Sequence, residues 1–431
     1  SQLTKKLPYF EVVRVYSILS GIIQSGSITS IDTLIQLMES QVEDRDRCYC
    51  TALRIFLNSF IGNQEEINTL CTQFTRENPP QNLIAEVTTF FIQIDALESL
   101  KTIHPIIQDT MLTSVVFDWV SGSLSKAVKH LTNSSGTLKN EYVITEYALW
   151  LYAKHSQAVG NKISALRTYT EIEQIHPTVW TKWSIEEIKS QLLLTESLTN
   201  NSVDVPKAKQ QVERIISFSD FFTPLRESLC FHFVDTLLNC ASILPVDEFD
   251  AYYDKLPPRM KTWARTKGHW YAAHLLKNDN INGDELRSFC DETGDKVLWA
   301  TYLYRRITDS PEYVIHCIEE DIDILQKEFA AFVAYYEALS ATKGEHIAYN
   351  TATQISVPDT AIFSYNVFLA ECGTKLEKEN AGAYLQRAID ESLSPSGDIP
   401  IIHLRALISL LVNLKRWEDA AHILAQYQDK D

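Results

Sequence analysis

TEYALWLYAKHSQAVGNKISALRTYTEIEQIHP, residues Thr145–Pro177, holds two short helical patterns separated by one glycine and closed by one proline. Leu149, Tyr152 and Ala153 fall on the first pattern. Ala165, Tyr169 and Ile172 fall on the second. Small Ala153 and Ala165 let two helices approach, while Tyr152 and Tyr169 fill the space beside them. Gly160 permits the sharp turn between them, and Pro177 blocks helical continuation.

Three other segments repeat parts of this order. Gly62, Ile67, Cys71, Phe74 and Pro79 reproduce the turn, the second helix and the closing proline. Tyr365, Phe368, Ala381, Leu385 and Ala388 fit without the glycine or proline. Leu404, Leu407, Leu411, Trp417, Ala420, Leu424 and Tyr427 keep the spacing, with Ile408 at the small position. Pro79 and Pro177 stand close to three 34-residue periods apart, which suits a stacked array.

This order of large, small, glycine, small, aromatic and proline positions resembles the tetratricopeptide repeat over about a third of the chain. The resemblance implies an all-α solenoid of stacked antiparallel helix pairs, several of them degenerate. The expected divisions are N-terminal helical repeats at 1–137, central repeats at 138–257 and C-terminal repeats at 258–431, or one continuous solenoid. Further helix pairs are read at Gln108–Leu131, Leu225–Leu256 and Trp263–Phe289, with breaks at Asn133–Lys139, Leu198–Val205 and Pro257-Pro258. Leu325, Phe329, Phe332, Tyr336 and Leu339 read as the stripe of one helix. Ser310-Pro311-Glu312 reads as a helix start.

Composition agrees with helices. Thirteen glycines and fourteen prolines, about 6% of 431 residues, are too few for the turns of sandwiches and barrels. The eight cysteines are scattered with no Cys-x-x-Cys pair, so they read as small hydrophobes of a reducing, cytoplasmic compartment. No segment reads as a secretory signal or a membrane span. Ser1 in place of methionine leaves room for a further segment upstream.

The resemblance implies a concave face lined by the first helix of each pair. On it fall Tyr147, Trp150, Lys154 and Gln157, with Asn366 and Arg405 at matching positions of later repeats. An aromatic pair beside a lysine suits a peptide ligand; the competing reading packs Tyr147 and Trp150 against the preceding helix pair. Trp150 and Lys154, Asn366 and Ala370, and Arg405 and Ser409 do not form the Lys/Asn clamp by which members of the family grip a terminal carboxylate.

The formal net charge of −17 disfavours a nucleic acid partner and leaves a basic protein segment as the sharper possibility. Glu43-Asp44-Arg45-Asp46 and Glu319-Glu320-Asp321 read either as solvated helix ends or as attractors of such a segment. His269 and His274 are five residues apart and make a poor metal pair, as do the i, i+2 residues Cys230 and His232. No Walker loop, nucleophile elbow, zinc-protease helix or dinucleotide fingerprint occurs, and no cofactor is implied. The chain therefore reads as a non-catalytic scaffold or adaptor for a protein or peptide. The alternatives are a ligand-sensing regulatory domain of a larger transcriptional or effector protein, and a helical ribonuclease using Arg226 with His232; the similar spacing of Arg416 and His422 falls inside a repeat, which accounts for it structurally.

Overall fold

The computed structural model describes residues 6–24, 28, 30–200, 204–277, 281–356, 362–393, 399 and 401–427. Among these the secondary structure is all helical apart from turns and one isolated bridge between Thr132 and Leu138. None of the described helices is long and apolar enough to cross a membrane. The chain forms two compact units, Ser1–Trp270 and Tyr271–Asp431. This single division falls after Trp270, 13 residues beyond the break read at Pro257-Pro258. The Asn133–Lys139 loop, read as the end of an N-terminal array, lies inside the first unit because the helices on its two sides, Leu124–Leu131 and Glu146–Ala158, pack on each other.

The segment that opened the sequence reading folds as two helices, Glu146–Ala158 and Lys162–Ile175. Gly160 sits at φ +82°, the left-handed region in which a side chain is strained. Asn161 then caps the second helix, its side chain accepting from the Ser164 N–H at 3.2 Å. Ala153 and Ala165 are fully buried, as their role in close approach requires. Beyond Pro177 a third helix, Val179–Asn200, begins at a reciprocal cap. The Thr181 N–H donates to the Thr178 hydroxyl at 3.1 Å, and the Thr178 N–H donates to the Thr181 hydroxyl at 2.8 Å. Gly62 is needed for a different reason from Gly160. Its backbone is extended, but a Cβ there would meet the Asn58 carbonyl oxygen at 2.8 Å.

In the first unit an aromatic seam joins segments far apart in sequence. Phe60, at the end of the Arg47–Ile61 helix, packs edge-on to Phe90 and stacks on Trp180 with ring centroids 5.9 Å apart. Trp183 continues the seam to Phe222, and Phe222 stacks on Phe233 at 5.0 Å. The Arg226 N–H donates to the Phe60 carbonyl at 2.7 Å. Burying these rings removes large apolar surfaces from water, a favourable contribution to folding.

The second unit has two apolar clusters. One runs from Leu275 to Cys372 through Trp299, Tyr302, Phe332 and Tyr336. The other gathers Leu385, Ile389, Leu404, Leu407, Leu411 and Ile423. Here the continuous stripe read from Leu325 to Leu339 is broken. Glu328 is extended (φ −129°, ψ 112°), so Leu325 belongs to a short helix, Ile324–Lys327, and the next helix starts at Phe329. Phe329 still stacks on Phe332 and also packs on Tyr365 and Phe368. The helix Pro311–Glu320 starts where Ser310-Pro311-Glu312 placed it, although the Ser310 side chain makes no capping bond. In the last pair Trp417 is exposed, so it does not fill the core position its spacing assigns.

All eight cysteines are free and buried. Desolvation pushes the Cys50, Cys71, Cys240 and Cys290 thiols up to about 12, which keeps them protonated and unreactive near neutral pH. The two acidic segments have partners inside the chain. Arg47 pairs with Asp44, Arg287 with Glu320 and Lys296 with Asp321, at 2.8–3.0 Å. That pairing reduces the charge they offer a partner.

Candidate functional site

In the first unit a cleft of about 360 Å³ opens where the Glu146–Ala158 and Val179–Asn200 helices approach the turn after the Gln81–Gln93 helix. Lys154 and Gln157 line it, four and seven residues beyond Trp150 on successive turns of one helix. Trp183 and Glu187 line it from the other helix, again four apart. Asp95 is placed by the turn itself. The Ala96 N–H closes back onto the Phe91 carbonyl at 2.9 Å, and Asp95 takes φ +56°, a conformation that Asp tolerates better than most residues.

The polar groups of the cleft form a connected set. The Lys154 ammonium donates to Asp95 at 2.7 Å and lies 5.9 Å from the centroid of the Trp150 ring. The Tyr169 hydroxyl donates to Gln157 Oε1 at 3.3 Å. Desolvation raises the Glu187 carboxyl above its ordinary value, opposed by attraction to His232 and Lys154 and by a hydrogen bond from Gln157. Nearby, Gln93 donates to Glu146 at 2.9 Å, and burial raises the Glu146 carboxyl too. Desolvation pushes the Tyr169 hydroxyl far above the usual tyrosine value. The floor is aromatic: Tyr169, Trp180 and Trp183 are each at least nine-tenths buried.

The six residues read as one binding face are distributed differently. Lys154 and Gln157 share the cleft. Trp150 is 1% exposed and packs edge-on to Tyr169 at 5.4 Å, so it belongs to the core and offers no contact surface. The physical reason is the neighbouring second helix, whose tyrosine covers the indole. Tyr147 is half-buried outside the cleft lining, and its hydroxyl is pushed up to about 12 by burial. Asn366 is buried in the second unit. There it lines a separate cavity of about 520 Å³ with Tyr384, Arg387, Asp390 and Glu391, donating weakly to Glu391 at 3.5 Å. Arg405 is exposed on the Ile401–Asn413 helix and lines neither cavity.

No protein-family model and no curated protein matches the chain.

Other residues weighed as chemistry fall into structural roles. His269 contacts the Asp235 carboxylate at 2.9 Å, and Arg265 donates to the same group at 2.7 Å. Burial alone would raise Asp235, but these two partners hold it below its ordinary value. Arg226 is engaged with Gln64 at 3.3 Å, while His232 stands at the cleft rim. Arg416 donates to Asp419 at 2.6 Å, three residues on along its own helix start, and His422 is exposed.

Sequence reasoning missed Asp95, Trp180, Trp183 and Glu187. The signal was available: Trp180, Trp183 and Glu187 recur at steps of three and four just past Pro177, one face of a helix that the repeat pattern did not cover.

Proposed function

We propose that this chain is a tetratricopeptide-like array of helix pairs serving as a non-catalytic interaction module, which takes a protein or peptide segment into the Lys154 cleft. The observation that carries the reading is the cleft itself. It combines an aromatic floor, a lysine, two carboxylates and two amide side chains in about 360 Å³, the mixture of apolar area and placed polar groups that peptide and small-ligand sites share. The pattern of helix contacts supports the array. Glu146–Ala158 packs on Lys162–Ile175, which packs on Val179–Asn200, and helices one apart also meet, as Tyr9–Gln24 does with Arg47–Ile61 and Arg47–Ile61 with Gln81–Gln93. The aromatic seam makes the first unit more tightly wound than a simple extended array, because Phe60 reaches Trp180 directly.

The test is selection of a random peptide library on the intact chain, followed by calorimetric titration of the best peptide. The expected result is saturable one-site binding, weakened at least about tenfold by Gln157→Ala, a loss of about 1.4 kcal/mol. Failure to select any peptide, or binding indifferent to Gln157→Ala, removes the reading.

A further inference from the structure

Within the Lys154 cleft, Glu187 is the charged group left over. Lys154 gives its ammonium to Asp95 at 2.7 Å, and its side chain is only 14% exposed, so it is held in that pair. Among the described residues no cation stands within ion-pair distance of Glu187. His232 and Lys154 act on it only as longer-range attraction, and Gln157 only as a hydrogen-bond donor. Trp180 and Trp183, 6% and 2% exposed, also line the cleft. The Trp180 Nε1–H is buried there with no acceptor among the described residues. A carboxylate desolvated beside aromatic faces is costly alone and favourable once a cation joins it, because the low local dielectric strengthens that one contact.

We infer that the cleft reads one basic side chain, arginine or lysine, of the bound segment, with Glu187 as its ion-pair partner. This rests on the interaction-module reading and specifies its ligand. Lys154 does not repel the incoming cation strongly, since Asp95 neutralises it at contact distance. His232 and Tyr169 are the other titratable groups lining the site. The chain's net charge of −17 favours approach of the same ligand from a distance.

A positional-scanning hexapeptide library, labelled and titrated against the intact chain, tests this. The expected result is one position with at least a tenfold preference for arginine or lysine over the neutral isosteres citrulline and norleucine. That preference falls below twofold in Glu187→Gln, while preferences at the other positions persist and thermal unfolding shows the variant folded. A basic preference that survives in folded Glu187→Gln overturns the assignment, as does a preference for acidic or neutral residues at every position. Saturable binding without any basic preference removes this inference and leaves the interaction module standing; no binding by any library member removes both.

Discussion

Trp150 and Lys154 stand one helical turn apart and have opposite roles. The indole is enclosed by Tyr169, whereas the lysine reaches across to Asp95. Trp150→Ala therefore costs about 3–5 kcal/mol of stability, the range for deleting a buried aromatic, while Lys154→Ala costs less than about 1 kcal/mol. Urea unfolding of both variants checks this; similar small losses would return Trp150 to the surface. Glu146 and Glu187 make a second prediction. Their carboxyls are raised in the folded chain, so between the ordinary carboxylate range and the raised values the folded state holds more protons than the unfolded one. Their contribution to stability is greatest in acid and falls as pH rises through that window. Asp235, held low, works the other way: its contribution is present above the ordinary range and is lost on acidification. Glu187→Gln should therefore stabilise the chain near neutral pH, and the gain should shrink toward about pH 4. A gain independent of pH would contradict the assignment.

At the scale of helices, the pair Glu146–Ala158 and Lys162–Ile175 was legible because its signals are local. Gly160 at positive φ, Asn161 as a cap and Pro177 as a stop each act within a few residues. No atom lies within 4 Å of a Cβ built on Gly160, so Gly160→Ala should cost about 1–2 kcal/mol from backbone strain alone, measurable as a lowered urea midpoint with an unchanged slope. The aromatic seam was not legible, because a sequence period cannot say that Phe60 meets Trp180. Its neighbours along the chain give Phe60 the pattern of an ordinary helix end. The same limit hid half of the cleft: Lys154 and Gln157 came from the helix that the repeat pattern covers, Asp95 and Glu187 from segments outside it. Leu325–Leu339 shows the converse failure, where correct spacing ran across a real break at Glu328. Because the seam joins elements more than a hundred residues apart, Phe60→Ala should raise amide exchange in both Arg47–Ile61 and Val179–Asn200, not only in the helix that carries it.

For the molecule as a whole, the fold class followed from glycine and proline scarcity and helical spacing, but the two-unit division after Trp270 did not. The helix Ala264–Leu276 spans that division, so no loop or composition change marks it. The charge of −17 reads first as ordinary solubilising charge and only more sharply as attraction for a basic partner, while two acidic segments are paired within the chain. The attraction is thus assigned to the cleft and to the general field rather than to those segments. Amide hydrogen exchange of the intact chain, with and without the selected peptide, locates the binding surface directly. Protection concentrated in residues 146–158 and 179–200 is the result expected here. Protection confined to the Asn366 and Arg387 cavity, or no protection at saturating peptide, would contradict the assignment of the Lys154 cleft.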